Sequence, residues 1–205
     1  MAIDKQSIAY QALLLGGFAT IAPLLLVLGN LLTHDKILDN HKKDLLDSLN
    51  QVVAAELYDN DLLAQPLQID GTTIYRGTKE GQVTALAWQI MTQEGYAGEI
   101  QALLALTPQG EILGVRVLSH SETPNLGDKI EIAKSDWVLS FNGLSLGNPD
   151  IDQWKVKKDG GQFDSFTGAT ITPRAVVKAV KQGLLFFEKY RGQLMYLEKT
   201  QGATS

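Results

Sequence analysis

A chain of 205 residues with 44% apolar and 20% charged side chains has room for one ordinary core plus a small extra element, and is too apolar to remain unfolded. Its net charge of −5, with no basic stripe, gives no footprint for nucleic acid as a partner. The absence of cysteine excludes disulfides, iron–sulfur clusters and thiol catalysis within the chain, and its three scattered histidines, His34, His41 and His120, lack the paired spacing of a zinc site.

Residues 6 to 33 contain no Asp, Glu, Lys or Arg. This run predicts a transmembrane helix over 9–33 behind a short tail, 1–8, since about 20 apolar residues cross a bilayer. Pro23 and the Gly16–Gly17 pair are tolerated in such a helix. A cleaved signal peptide is the rival reading, but the run is long for one, the amino end carries only Lys5, and no A-x-A site precedes Asp35. Lys36, Lys42 and Lys43 follow the span, whereas Lys5 and the amino terminus precede it. Counted this way, the positive-inside rule puts the carboxyl side in the cytoplasm.

Between Asp35 and Tyr58 the apolar residues Ile37, Leu38, Leu45, Leu46, Leu49, Val52, Val53 and Leu57 recur at helical spacing. They predict a helical stalk over 34–58, or equally a surface helix packed on the domain. A single domain then spans 59–195. Its turn-rich start, Asp59 to Gly81, holds a short strand at Thr72–Arg76, and Val83–Ile90 reads as a second strand. Gly95-Tyr96-Ala97-Gly98 breaks the chain. Ile100–Leu106 and Ile112–Leu118 form a hairpin around Thr107–Gly110, where proline second and glycine fourth suit a type I turn. Both runs are apolar on both faces, so the sheet is expected to be covered on both sides.

The hairpin leads into Ser119–Glu131. There His120 and Glu122 could form an acid–base pair, although solvated side chains in a loop are the commoner outcome. Trp137 opens another apolar stretch to Leu144, and Asn148–Gly161 is polar and turn-rich. Next comes Asp164–Pro173, DSFTGATITP, in which Thr167, Thr170 and Thr172 surround Gly168. Thr172 as N-cap and Pro173 at the first helical position predict a helix start. Such a terminus favours an anion, and Gly168 permits close backbone approach. Read on these residues alone, the stretch is a capped turn before a helix, with a phosphate site as the second reading; the Walker pattern is absent. The helix beyond puts Val176, Val177, Val180, Leu184 and Phe187 on one side and Arg174, Lys178, Lys181 and Lys189 largely on the other. A tail, 196–205, is expected to be loosely ordered at its end. The fold class is α+β, with a mostly antiparallel sheet, packed helices and one N-terminal transmembrane helix.

The spacing Asp164-x-x-Thr167-Gly168-Ala169-Thr170 resembles the D-x-x-[ST]-G-A-[ST] signature of proteins that carry covalent FMN. With GYAGEI at 95–100, HSETPNLGDKIE at 120–131, SDW at 135–137 and the N-terminal span, the chain resembles the G subunit of the bacterial Rnf electron-transport complex, called Rsx in some bacteria. The C subunit of the sodium-pumping NADH:quinone reductase shares the architecture and is the nearest alternative. Asn125 departs from the family, which usually has glycine after the proline, but Asn tolerates left-handed backbone.

The resemblance implies a flavoprotein anchored in the bacterial inner membrane with a periplasmic domain, the opposite side from the lysine count. It implies electron relay between redox subunits of a complex that couples ferredoxin/NAD electron transfer to ion translocation, and a flavin transferase for maturation. FMN would be joined by a phosphoester to Thr170. Gly168 and Ala169 would allow close approach, Thr167 and Thr172 would bond phosphate oxygens, and Asp164 would shape the turn or be read by the transferase. Glu122, Thr123, Leu126 and Gly127 would line the ring pocket, with His120 as a weaker candidate. A membrane-anchored FMN-binding sensor is a second function class, and a hydrolase using Glu122 and His120 a third, which lacks a nucleophile elbow.

Overall fold

The computed structural model describes residues 8–196, so the expected tails lie wholly or mostly outside the described residues. The chain divides into two compact units, Met1–Leu45 and Leu46–Ser205. The first is built from helix α1, Ile8–Val52, whose last turns belong to the second unit. Tyr10–Thr33 within it has a mean hydropathy of 2.2 and, among the described residues, is the one helix long and apolar enough to cross a membrane. Leu15, Phe18, Ile21, Leu24 and Leu28 are all exposed, so the segment is apolar around its circumference. Its hydroxyls bond inward. Thr20 donates to the Gly16 and Gly17 carbonyls at 3.0 Å, and Thr33 donates to that of Gly29 at 2.8 Å.

The second unit carries a five-stranded antiparallel meander: β1 (Leu67–Ile69), β2 (Thr72–Lys79), β3 (Gln82–Gly95), β4 (Gly98–Leu106) and β5 (Ile112–His120), in that spatial order. The expected strands at Thr72–Arg76 and Val83–Ile90 are present and longer, because cross-strand pairing carries extended backbone past the end of each apolar run. Strand β1 has no sequence signal beyond three residues and exists through its pairing to β2. The Thr107–Gly110 hairpin closes with the Gly110 N–H donating to the Thr107 carbonyl at 2.9 Å, and Gly110 takes a φ of 91°.

One face of the sheet packs against α2, Ile171–Met195, which buries Val176, Val177, Val180, Leu184 and Phe187 as its periodicity predicts. Each such side chain contributes about 1.5–3 kcal/mol by leaving water. Gly183 lets α2 approach: a Cβ there would stand 2.5 Å from Leu104 Cδ2. The same core takes in the aromatic cluster of Phe141, Trp154, Phe163 and Phe166. The apolar run from Trp137 becomes a 3-10 helix over Asp136–Phe141, capped by the Ser135 side chain.

The second face is covered too, as expected from the runs apolar on both sides. The row Ala87–Ala105–Gly114 presents almost no side chain. Val52 lies where a Cβ on Gly114 would come within 3.2 Å of it, and Leu49, Val52, Val53 and Leu62 are buried. The helix ends at Val52, not near Tyr58 as the apolar spacing suggested. A separate 3-10 turn at Ala55–Leu57 follows.

Candidate functional site

Three loops converge at one end of the sheet. The first is the β3–β4 turn at Tyr96–Ala97, between the paired Gly95 and Gly98. The second leaves β5 through His120 and turns at Thr123–Gly127. There the amides of Leu126 and Gly127 donate to the Thr123 carbonyl at 3.2 and 3.1 Å. Pro124 stands second in this turn and Asn125 third with φ 62°, so the asparagine takes the left-handed geometry that the family's glycine would take. The third is the turn Phe166–Ala169, closed by Ala169 N–H to the Phe166 carbonyl at 3.2 Å, with Gly168 at φ 83°. Trp137 anchors the chain just before it, its indole N–H donating to the Asp164 carbonyl at 2.9 Å while its ring packs edge-on against Phe141 and Phe166.

Between these loops lies a cavity of about 310 Å³, within the lower range of small-molecule sites. Of the predicted residues, Glu122, Thr123, Leu126, Gly127, Gly168, Ala169, Thr170 and Thr172 line it. Thr167 and Asp164 do not; both are exposed, and Asp164 pairs with Lys157 at 2.7 Å. Sequence reading missed Tyr96 and Ile171, which also line the cavity and are exposed at its rim. The signal for each was its neighbours: Tyr96 sits inside GYAGEI, and Ile171 inside ATIT.

Helix α2 begins two residues earlier than expected. Thr170, not Thr172, is the N-cap, and no side chain caps it. Pro173 falls at the third helical position, where its missing N–H is still harmless. Thr172 is fully buried, and its hydroxyl is spent elsewhere: it donates to Glu122 Oε2. The positive end of α2 therefore faces the cavity at Thr170 without a competing side-chain acceptor.

Glu122 is buried, and its other oxygen, Oε1, accepts the Ala97 N–H at 3.0 Å. A Cβ on Gly127 would lie 2.7 Å from Oε2, so this glycine leaves room for the carboxylate, whereas one on Gly95 would first meet the Gly98 carbonyl at 2.3 Å and then Oε1 at 2.7 Å. His120 does not form the acid–base pair that its i, i+2 spacing suggested. Its Nδ1 accepts the backbone N–H of Glu122 at 3.0 Å, and its Nε2 meets Glu131 Oε1 at 2.8 Å. The histidine braces the loop from behind and is not among the cavity-lining residues. At the outer side of the α2 N-terminus, Arg174 grips Asp159 with two bonds, 2.6 and 2.8 Å, and this guanidinium holds the Asp159 carboxyl below the usual carboxylate range.

Residues 95–185, which include all three loops, match the family described as FMN-binding domain, and residues 1–52 match the family described as RnfG N-terminal region. Fold and site thus define an FMN-binding domain joined to an apolar N-terminal helix. The G subunit of the ion-translocating oxidoreductase complex of Stutzerimonas stutzeri is 50% identical over 187 residues, covering 89% of this chain and 82% of that protein. The protein of the same name from Shewanella piezotolerans is 44% identical, covering 93% and 94%. The chain belongs to this family, the G subunits of ion-translocating oxidoreductase complexes, which bears out the resemblance read from its motifs. Among solved structures it is similar to NqrC of Shewanella oneidensis, at 20% identity and a TM-score of 0.48, over 69% of this chain and 73% of that one.

The cavity suits an FMN group. A helix N-terminus beside Thr170 favours phosphate, and Gly168 adopts the left-handed backbone, φ 83°, that the turn before the helix requires. Apolar Leu126, Ile171 and the Tyr96 ring offer surface for a flat aromatic system, while Glu122 and Thr123 supply a few polar atoms.

Proposed function

We propose that this chain is the membrane-anchored flavin carrier of an ion-translocating oxidoreductase complex, relaying electrons between other redox subunits. FMN is joined through its phosphate to the Thr170 hydroxyl by a separate flavin transferase. The observation that carries this reading is the place of Thr170: it is the N-cap of α2, it lines the cavity, and its signature Asp164-x-x-Thr167-Gly168-Ala169-Thr170 forms the turn beside it. FMN supplies reversible one- and two-electron chemistry. The chain's own residues hold it in place. A covalent link removes dissociation, which matters for a group outside the cytoplasm that would otherwise dilute away.

In this reading Thr170, Gly168, Ala169 and the α2 N-terminus hold the phosphate end, and Glu122, Thr123, Leu126 and Gly127 hold the ring. Thr167 acts from the exposed outer side of the turn, and Asp164 shapes that turn or is read by the transferase. Residues 9–33 anchor the chain, and the domain from 59 onward lies on the periplasmic side. Lys36, Lys42 and Lys43 favour the opposite side, so the periplasmic placement rests on the family resemblance and not on the charge count. Because the chain lacks cysteine, Gln82→Cys gives a single labelling site; reaction with an impermeant thiol reagent in intact cells supports the periplasmic side, and protection refutes it.

The test of the attachment is in-gel fluorescence after denaturing electrophoresis, with wild type and Thr170→Ala each co-expressed with an active transferase. A fluorescent wild-type band and a dark mutant are expected. A dark wild-type band overturns the covalent link.

A further inference from the structure

The cavity is built around a charge with no counter-ion. Glu122 is 5% exposed, and among the described residues no lysine or arginine lies within ion-pair distance of it. A buried carboxylate is expensive to keep, and one with no cation beside it more so. Yet this chain leaves room for it at Gly127 and aims two donors at it, the Ala97 N–H and the Thr172 hydroxyl. A third element fixes its backbone through His120 and Glu131. A glutamine would tie the same three segments together at less cost, so tying loops does not explain the charge.

A carboxylate offers about four acceptor positions, of which two are taken here. Glu122 lines the cavity, so the remaining capacity is open to an occupant that carries an N–H. We propose that Glu122 sets the reduction potential of the bound ring, accepting a ring N–H and holding beside it a negative charge that no lysine or arginine pairs. This rests on the flavin reading above. Electrons entering the ring bring negative charge toward a fixed negative charge, so the carboxylate makes the flavin harder to reduce. The Thr172 hydroxyl moderates the effect by drawing charge onto Oε2. Glu122 is in this sense a potential-setting residue, and Thr172 a positioning residue that acts through it.

The test is a redox titration of the full-length chain in detergent, loaded with flavin by the transferase and reduced with dithionite in the presence of mediator dyes. Glu122→Gln keeps the shape and removes the charge. At fixed electrode potential its ratio of reduced to oxidised flavin is expected to rise at least tenfold, about 59 mV for a one-electron couple. Thr172→Val keeps the volume and removes the donor, and its ratio is expected to fall severalfold. Opposite signs are the signature, because mere loosening of the cavity moves both variants the same way. Equal potentials, or shifts of one sign in both, overturn the proposal. If Glu122→Gln does not load, Thr172→Val decides alone, a lowered potential supporting the assignment and an unchanged one refuting it. A wild-type chain with no flavin at all is a failure of the cofactor reading, recognised before any potential is measured.

Discussion

A Cβ placed on Gly127 would stand 2.7 Å from Glu122 Oε2 and 2.9 Å from Thr172 Oγ1, contacts closer than side chains make. The glycine that follows Leu126 is therefore the space in which a buried carboxylate and a buried hydroxyl meet. Gly127→Ala should lower stability by about 1–3 kcal/mol, the usual cost of overpacking, and should reduce flavin loading more than a mutation of equal cost elsewhere in the core. Denaturant midpoints and flavin per chain, measured together, check this. Normal loading at normal stability would contradict the geometry.

Asn125 holds φ at 62° in the turn before this glycine. Asn125→Gly should fold with a stability within about 0.5 kcal/mol of wild type, as ordinary surface changes do. Asn125→Val should lose about 1–2 kcal/mol, since a branched Cβ clashes in left-handed backbone. A thermal or urea unfolding series separates the two.

Trp137 is bound to the Asp164 carbonyl through its indole N–H. Trp137→Phe retains the ring contacts with Phe141 and Phe166 and removes this one bond. A loss of about 0.5–1.5 kcal/mol is expected, with slower flavin attachment because the segment leading to Thr170 is less firmly held. The rate of appearance of in-gel fluorescence during transferase treatment reads the second effect.

At Thr170 itself the hydroxyl is the group that matters. Thr170→Ser should keep measurable flavin and Thr170→Ala none, scored by fluorescence on denaturing gels. Equal labelling of wild type and both variants would move the attachment point elsewhere.

Asp159 and Arg174 make a pH-dependent tie across the base of α2. The Arg174 guanidinium lowers the folded-state pKa of Asp159. Its contribution to stability is therefore complete above the unfolded-state value of about 3.9, and is lost as pH falls through the lower folded-state value. The stability gap between wild type and Arg174→Gln should be constant near neutrality and close in acid. An NMR titration of the Asp159 carboxyl should shift upward in the variant.

Much of the fold is legible in the sequence. The transmembrane candidate, the Thr107–Gly110 hairpin and the buried face of α2 are readable because each follows from local spacing: twenty-odd apolar residues, turn residues at fixed offsets, a 3.6-residue period. Strand β1 is not, because three residues carry no period and their pairing with Thr72–Ile74 is a tertiary fact. The start of α2 is misplaced by sequence reading for a related reason. Thr172-Pro173 has the local look of a helix cap, but the hydroxyl of Thr172 is claimed by Glu122, fifty positions away in sequence.

Within the site, the sequence marked the turn at Gly168 and the helix that follows Thr170, on which the proposed phosphate site rests, since these features act over a few bonds. It also determined the family, through motifs scattered from Gly95 to Thr172. Only the tertiary structure decided that those motifs share one purpose: they wrap Glu122, exclude Thr167 and Asp164 from the cavity, and turn His120 into a brace. A buried charge must find its donors wherever the fold brings them, and no local pattern records that meeting.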